Sequence, residues 1–130
     1  MSLRIILIAG GIVALLFGLF FVLGSETIIQ GYSLGPSNVA ERLFARAIGA
    51  SLLTLGVIDL LASMDLGSPA LRAVVIGNVV THILDLIVDF SEGAAANPGV
   101  WLSAVVHVVF IVAFGYCLIN WGKMTKPGMA

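Results

Sequence analysis

Four apolar stretches divide the chain, and each is about long enough to cross a bilayer core near 30 Å thick. Residues 5–24 carry no charge. Residues 39–64 are apolar after their first turns, apart from Asp59. Residues 69–90 are apolar apart from Arg72, His82, Asp85 and Asp89, and residues 93–122 carry no formal charge. The apolar positions run continuously instead of alternating, which excludes a closed barrel. Backbone groups in lipid must bond within their own segment, so the spans are helices. The expected fold is all-α: a four-helix transmembrane bundle, up-down-up-down, with spans at about 4–24, 39–64, 69–90 and 98–122 of one domain over residues 1–130.

The breaks between spans carry helix-start chemistry. Asn38 stands before the second span with Glu41 three residues on, a capping-box pattern. Ser68-Pro69 is expected to open the third span and Asn97-Pro98 the fourth, each a capping side chain followed by a proline at the first helical position. Gly31 and Gly35-Pro36 mark the first connection as irregular, and Ile28, Ile29, Tyr32 and Leu34 give it an apolar character suited to the bilayer interface or a partner. Trp101 and Trp121 lie twenty residues apart, or about 30 Å along a helix, the separation of the two interfacial belts. The run after Arg4 is longer than the apolar core of a signal peptide and reads as a retained span.

Composition sharpens the class. Of 130 residues, 60% are hydrophobic and 10% charged, where soluble domains carry about 25% charged residues. That excludes an ordinary soluble enzyme, a disordered tail and a coiled coil. Six basic against seven acidic residues leave no basic face for nucleic acid, and a single cysteine excludes a disulfide framework or a multi-cysteine zinc site. Arg4, Arg72, Lys123 and Lys126 fall on the side of both termini; Arg42 and Arg46 fall on the other, with Glu26, Glu41, Asp89 and Glu92. The positive-inside rule then predicts N-in, C-in topology in a bacterial inner (plasma) membrane. The absence of an Asn-x-Ser/Thr sequon fits a bacterial origin.

Ionisable groups at membrane depth are costly and face the protein interior. Asn78, His82, Asp85 and Asp89 recur at intervals of four, three and four, and at 100° per residue they share a stripe about 60° wide. Arg42 and Arg46 are one turn apart on the second span, with Gly49 and Gly56 expected to continue their face. His82 lies nine residues before Ser91 and His107 nine residues after Pro98, so the two histidines are expected at one depth. Arg46 is expected to pair with Asp85 or Asp89, with Glu41 or Arg42 completing the network. Asp59 and Asp65 are expected at the opposite interface. Ala14/Gly18 and Ala45/Gly49 are small-x-x-x-small pairs suited to close helix packing. Cys117, deep in an apolar run, reads as an inert thiol. Ser103 and His107 lie one turn apart without oxyanion-hole donors, so no hydrolase, and no enzyme, is expected.

Arg46-Ala47-Ile48-Gly49, running on into Leu52-Leu53-Thr54-Leu55-Gly56, is similar to the Arg-x-x-Gly opening of DoxX-like small four-helix bacterial membrane proteins. That resemblance implies a four-span architecture; members of the group are associated with quinone-linked redox complexes or are uncharacterised, and the stripe from His82 to Asp89 does not map onto them. Small multidrug transporters also have four spans, but they carry a carboxylate in the first, which here is charge-free. The expected function is an accessory subunit or apolar-ligand (lipid) binding bundle. Its polar cluster near the outer leaflet comprises Arg42, Arg46, Asn78, His82, Asp85, Asp89 and His107, with Arg46 as anion or headgroup anchor. Its partners are the lipid bilayer and either a membrane-protein partner or further copies of itself. One alternative is a haem-binding electron-transfer subunit ligated by His82 and His107, with no other metal or cofactor expected. The other is an oligomeric proton-coupled transporter driven by Asp85 or His82.

Overall fold

The structure is a computed structural model and describes residues 2–31, 37–91 and 98–124. Six helices are found among them: α1 (Leu3–Leu23), α2 (Ser25–Gly31), α3 (Val39–Met64), α4 (Leu71–Asp89), α5 (Pro98–Ile119) and α6 (Trp121–Met124). Four of these, α1, α3, α4 and α5, are long and apolar enough to cross a membrane. The chain is an all-α four-helix bundle of the multi-pass membrane type. Its outward surface is apolar on every long helix, with Ile5, Leu16, Phe44, Leu61, Ile87 and Val112 all exposed. Such a surface suits lipid and would be untenable in water.

Local chemistry sets most of the ends. The Ser2 hydroxyl accepts from the Ile5 N–H at the start of α1. The capping box at α3 forms as expected: the Glu41 N–H donates to Asn38 Oδ1 at 3.0 Å, and the Asn38 N–H donates to Glu41 Oε2 at 2.9 Å. The third span begins later than expected. Ser68 Oγ accepts from the Ala70 N–H and its carbonyl from the Leu71 N–H, so Ser68-Pro69 forms a turn and α4 starts at Leu71. The fourth span ends earlier, because a turn at Asn120 separates α5 from α6. The first connection holds a short helix, α2, that the sequence does not signal: two turns are too short for a periodic pattern. Tyr32, Leu34, Gly35-Pro36, Glu92, Asn97 and Lys126 lie outside the described residues.

In lipid no hydrophobic force brings helices together, so close packing and polar contacts must do so. The first is seen between α1 and α3, which run antiparallel. A Cβ on Gly11 would lie 2.9 Å from the Gly56 carbonyl oxygen, and one on Gly56 would lie 2.8 Å from the Gly11 oxygen. Gly18 and Gly49 oppose each other in the same way, at 2.9 and 2.8 Å. The α3 residues that face inward, Ala45, Gly49, Gly56, Asp59 and Ser63, follow heptad spacing. Leu3 and Leu7 of α1, Leu71 and Val75 of α4, and Phe110, Phe114 and Cys117 of α5 form the buried apolar core at the end nearest the chain termini. The other end of α4 and α5 carries the polar groups.

Candidate functional site

His82, Asp85 and Asp89 of the α4 stripe meet α5 around His107. His82 Nδ1 lies 3.0 Å from His107 Nδ1, so the two rings that counting from the loops sets at equal depth are in contact. His107 Nδ1 also lies 4.0 Å from Asp85 Oδ2, while its Nε2 lies 3.9 Å from Asp89 Oδ2. One imidazole thus faces a histidine and a carboxylate on one edge and a second carboxylate on the other. The His82 ring stacks on Phe110, with centroids 5.1 Å apart and planes 11° from parallel, and more distantly on Phe114. These aromatic walls fix the ring's plane and leave its Nδ1 edge toward α5.

Burial is graded across the cluster. Side-chain exposure is 11% for Asp89, 16% for His107 and 43% for Asp85. Asp89 Oδ2 is buried with no hydrogen-bond partner among the described residues. An orphaned carboxylate oxygen is costly in a low-dielectric setting, and such atoms call for a specific explanation. Asp85, by contrast, opens a route to the surface.

Three expected members stand elsewhere, two of them on α3. Arg46 is exposed on α3, and among the described residues it makes no ion pair with Asp85 or Asp89. Arg42 donates instead to the carbonyl (2.7 Å) and hydroxyl (3.1 Å) of Ser37, just before α3. The reason is rotational. The inward face of α3 is set by Ala45, Gly49 and Gly56, and Arg46 follows Ala45 by 100°, which turns it outward. Gly49 and Gly56 therefore continue the Ala45 face and not that of Arg46.

Asn78 belongs to a second polar contact that spacing along the chain does not reveal. Its Nδ2 donates to Asp59 Oδ1 at 2.7 Å and to the Val74 carbonyl at 3.1 Å. Asp59, expected at the interface, is 1% exposed and lies inside the bundle, where a Cβ on Gly10 would come within 3.3 Å of its Oδ2. Its direction follows only from the α3 heptad.

No family model, curated protein or solved structure matches this chain. What the site can hold therefore follows from its own chemistry. A haem held by His82 and His107 would need the iron and its macrocycle between the imidazoles. With the ring nitrogens 3.0 Å apart there is no room for a macrocycle as α4 and α5 are packed. A bare ion is a different matter: His82, Asp85 and His107 offer ligand atoms that all lie within 4.8 Å of one another.

Proposed function

We propose that this chain is a non-catalytic accessory protein of a bacterial inner membrane. Its α4–α5 cluster is a ligand site, and both termini are cytoplasmic. The observation that carries the reading is the gathering of His82, His107, Asp85 and Asp89 between α4 and α5, in a bundle whose fully buried residues are apolar apart from Ser25, Asp59, Ser63 and Asn78 among those described. Charged and imidazole groups at membrane depth mark functional positions by default. The orphaned Asp89 oxygen supports the same reading, because a purely architectural network would satisfy it. The half-open Asp85 lies among lipid-facing residues such as Leu84 and Val88, which suits a ligand with a polar end and an apolar body. The soluble connections are short, so further chemistry belongs to a partner protein or a second copy.

Native mass spectrometry of the chain extracted in mild detergent from its own membranes tests this. A reproducible added mass is expected on the wild type and is expected to vanish in His107→Ala. A bare chain in both would overturn the proposal.

A second reading, a proton-coupled transporter, gains one observation. Asp59 meets Asn78 inside the bundle, and Ser63, one turn beyond Asp59 on α3, is also buried. Polar side chains therefore continue from the histidine cluster toward the end nearest the termini. Flux in liposomes that depends on pH and is abolished by Asp59→Asn would favour this reading over the first.

A further inference from the structure

We infer that the α4–α5 cluster is a binding site for a divalent first-row transition-metal ion, with His82 Nδ1, His107 Nδ1 and Asp85 Oδ2 as ligands and Asp89 orienting His107. The inference rests on the reading of this cluster as a ligand site and names the ligand's class.

The donor set comes first. Two imidazoles and one carboxylate suit zinc and its neighbours, whereas calcium and magnesium prefer oxygen alone. Ligand atoms around a tetrahedral zinc stand about 3.3 Å apart when the bonds are near 2.0 Å. The His82 and His107 nitrogens lie 3.0 Å apart, already close to that separation. Asp85 Oδ2 lies 4.0 Å from His107 Nδ1, within reach of a side-chain rotation.

The outer groups make the stronger case. A metal-binding histidine almost always gives its other ring N–H to a hydrogen-bond acceptor such as a carboxylate, which fixes the tautomer and raises the basicity of the ligating nitrogen. Asp89 Oδ2 lies 3.9 Å from His107 Nε2 and has no hydrogen-bond partner among the described residues. A proton on Nε2 leaves Nδ1 of His107 with a free lone pair, directed at His82 and Asp85. The Phe110 and Phe114 rings hold His82 so that its own Nδ1 edge points to the same place. Without an ion, the two Nδ1 atoms share one hydrogen bond, and Asp89 gains nothing from its burial. With an ion, both nitrogens and both carboxylates have a role. Three protein ligands also leave a position for an oxygen donor, so a metal and a polar-headed ligand are compatible here.

The test uses the full chain in detergent, stripped with a chelator and titrated with Co²⁺, then Zn²⁺. One Co²⁺ per chain is expected, with visible absorption bands that Zn²⁺ removes. His82→Ala and His107→Ala are expected to lose the bands. Asp89→Asn is expected to keep them while weakening affinity about 10–100-fold, as loss of an orienting partner does. Helix content by circular dichroism separates loss of the site from loss of the fold. If a histidine variant unfolds, Asp85→Asn serves in its place and is expected to bind more weakly. Asp65→Asn, a carboxylate at the opposite end, is expected to bind as the wild type does. Absence of the bands, or bands unchanged in the folded histidine or Asp85 variants, would overturn the metal. A native organic adduct that depends on His107, without cobalt uptake, would overturn the metal and leave the ligand site standing. Neither adduct nor cobalt would overturn both.

Discussion

The two helix pairs of this bundle are held by opposite means. Between α1 and α3, glycines let the backbones touch, and among the described residues no side-chain hydrogen bond or ion pair joins the two helices. Between α4 and α5, imidazole-to-imidazole and imidazole-to-carboxylate contacts are added to an apolar core shared by Leu71, Val75, Phe110, Phe114 and Cys117. Gly77 and Gly115 of that second pair are idle, since a Cβ on either would meet nothing within 4 Å. Shape holds the first pair and tolerates no addition. The second adds polar chemistry to its apolar packing, and the polar groups are partly open. A protein that must keep its fold while admitting a ligand gains from this separation, because changes at the polar seam leave the glycine seam untouched.

The comparison breaks most visibly at the glycines. Gly56→Leu forces a side chain against the Gly11 carbonyl, and overpacking of this kind costs about 1–3 kcal/mol and sometimes more. A thermal melt in detergent is expected to fall sharply, and an unchanged melt would refute the glycine seam. Next comes the link between the pairs. Asp59→Leu strands the buried Asn78 amide and is expected to cost about 1–2 kcal/mol, while Asp59→Asn keeps an acceptor and most of the stability. Equal losses in both variants would show that the charge, not the hydrogen bond, matters there.

Substitution at the polar seam sharpens the contrast from the other side. His107→Phe keeps a ring but removes both nitrogens, and is expected to cost no more than about 1 kcal/mol. It should nonetheless abolish the ligand adduct in native mass spectra. A collapse in stability comparable to that of Gly56→Leu would mean the seam is architectural. Smallest of all, Gly77→Ala meets open space and improves helix propensity, so the melt is expected to rise, by up to about 1 kcal/mol of stability. A loss there would reveal a close approach to another molecule.

What the amino-acid pattern makes readable divides along the same line. Span number, the α3 capping box and the shared depth of His82 and His107 all follow from counting along the chain, because a helix rises by a constant amount per residue. The stripe from Asn78 to Asp89 follows from angle within one helix. What counting leaves open is how each helix is turned toward its neighbours. Arg46 and Asp59 are the two cases. Arg46, expected to face the polar cluster, is exposed; Asp59, expected at the interface, is buried. Both outcomes follow once Ala45, Gly49 and Gly56 are known to face inward and the two glycines to meet α1. Glycine and alanine are common in this chain, so the meeting of Gly56 with Gly11 does not stand out from many equivalent spacings.

The two glycine contacts also act as a pair of pins. Gly11 and Gly18 are a heptad apart on α1, and Gly56 and Gly49 are a heptad apart in reverse order on α3. Only one alignment seats both. Sliding either helix by seven residues, about 10 Å, would seat one pin and jam the other position with a larger side chain. Piston motion along this seam is thereby barred. Any sliding within the bundle then falls to α4 and α5, where a Cβ on Gly77 or Gly115 would meet nothing within 4 Å and no such pin exists among the described residues.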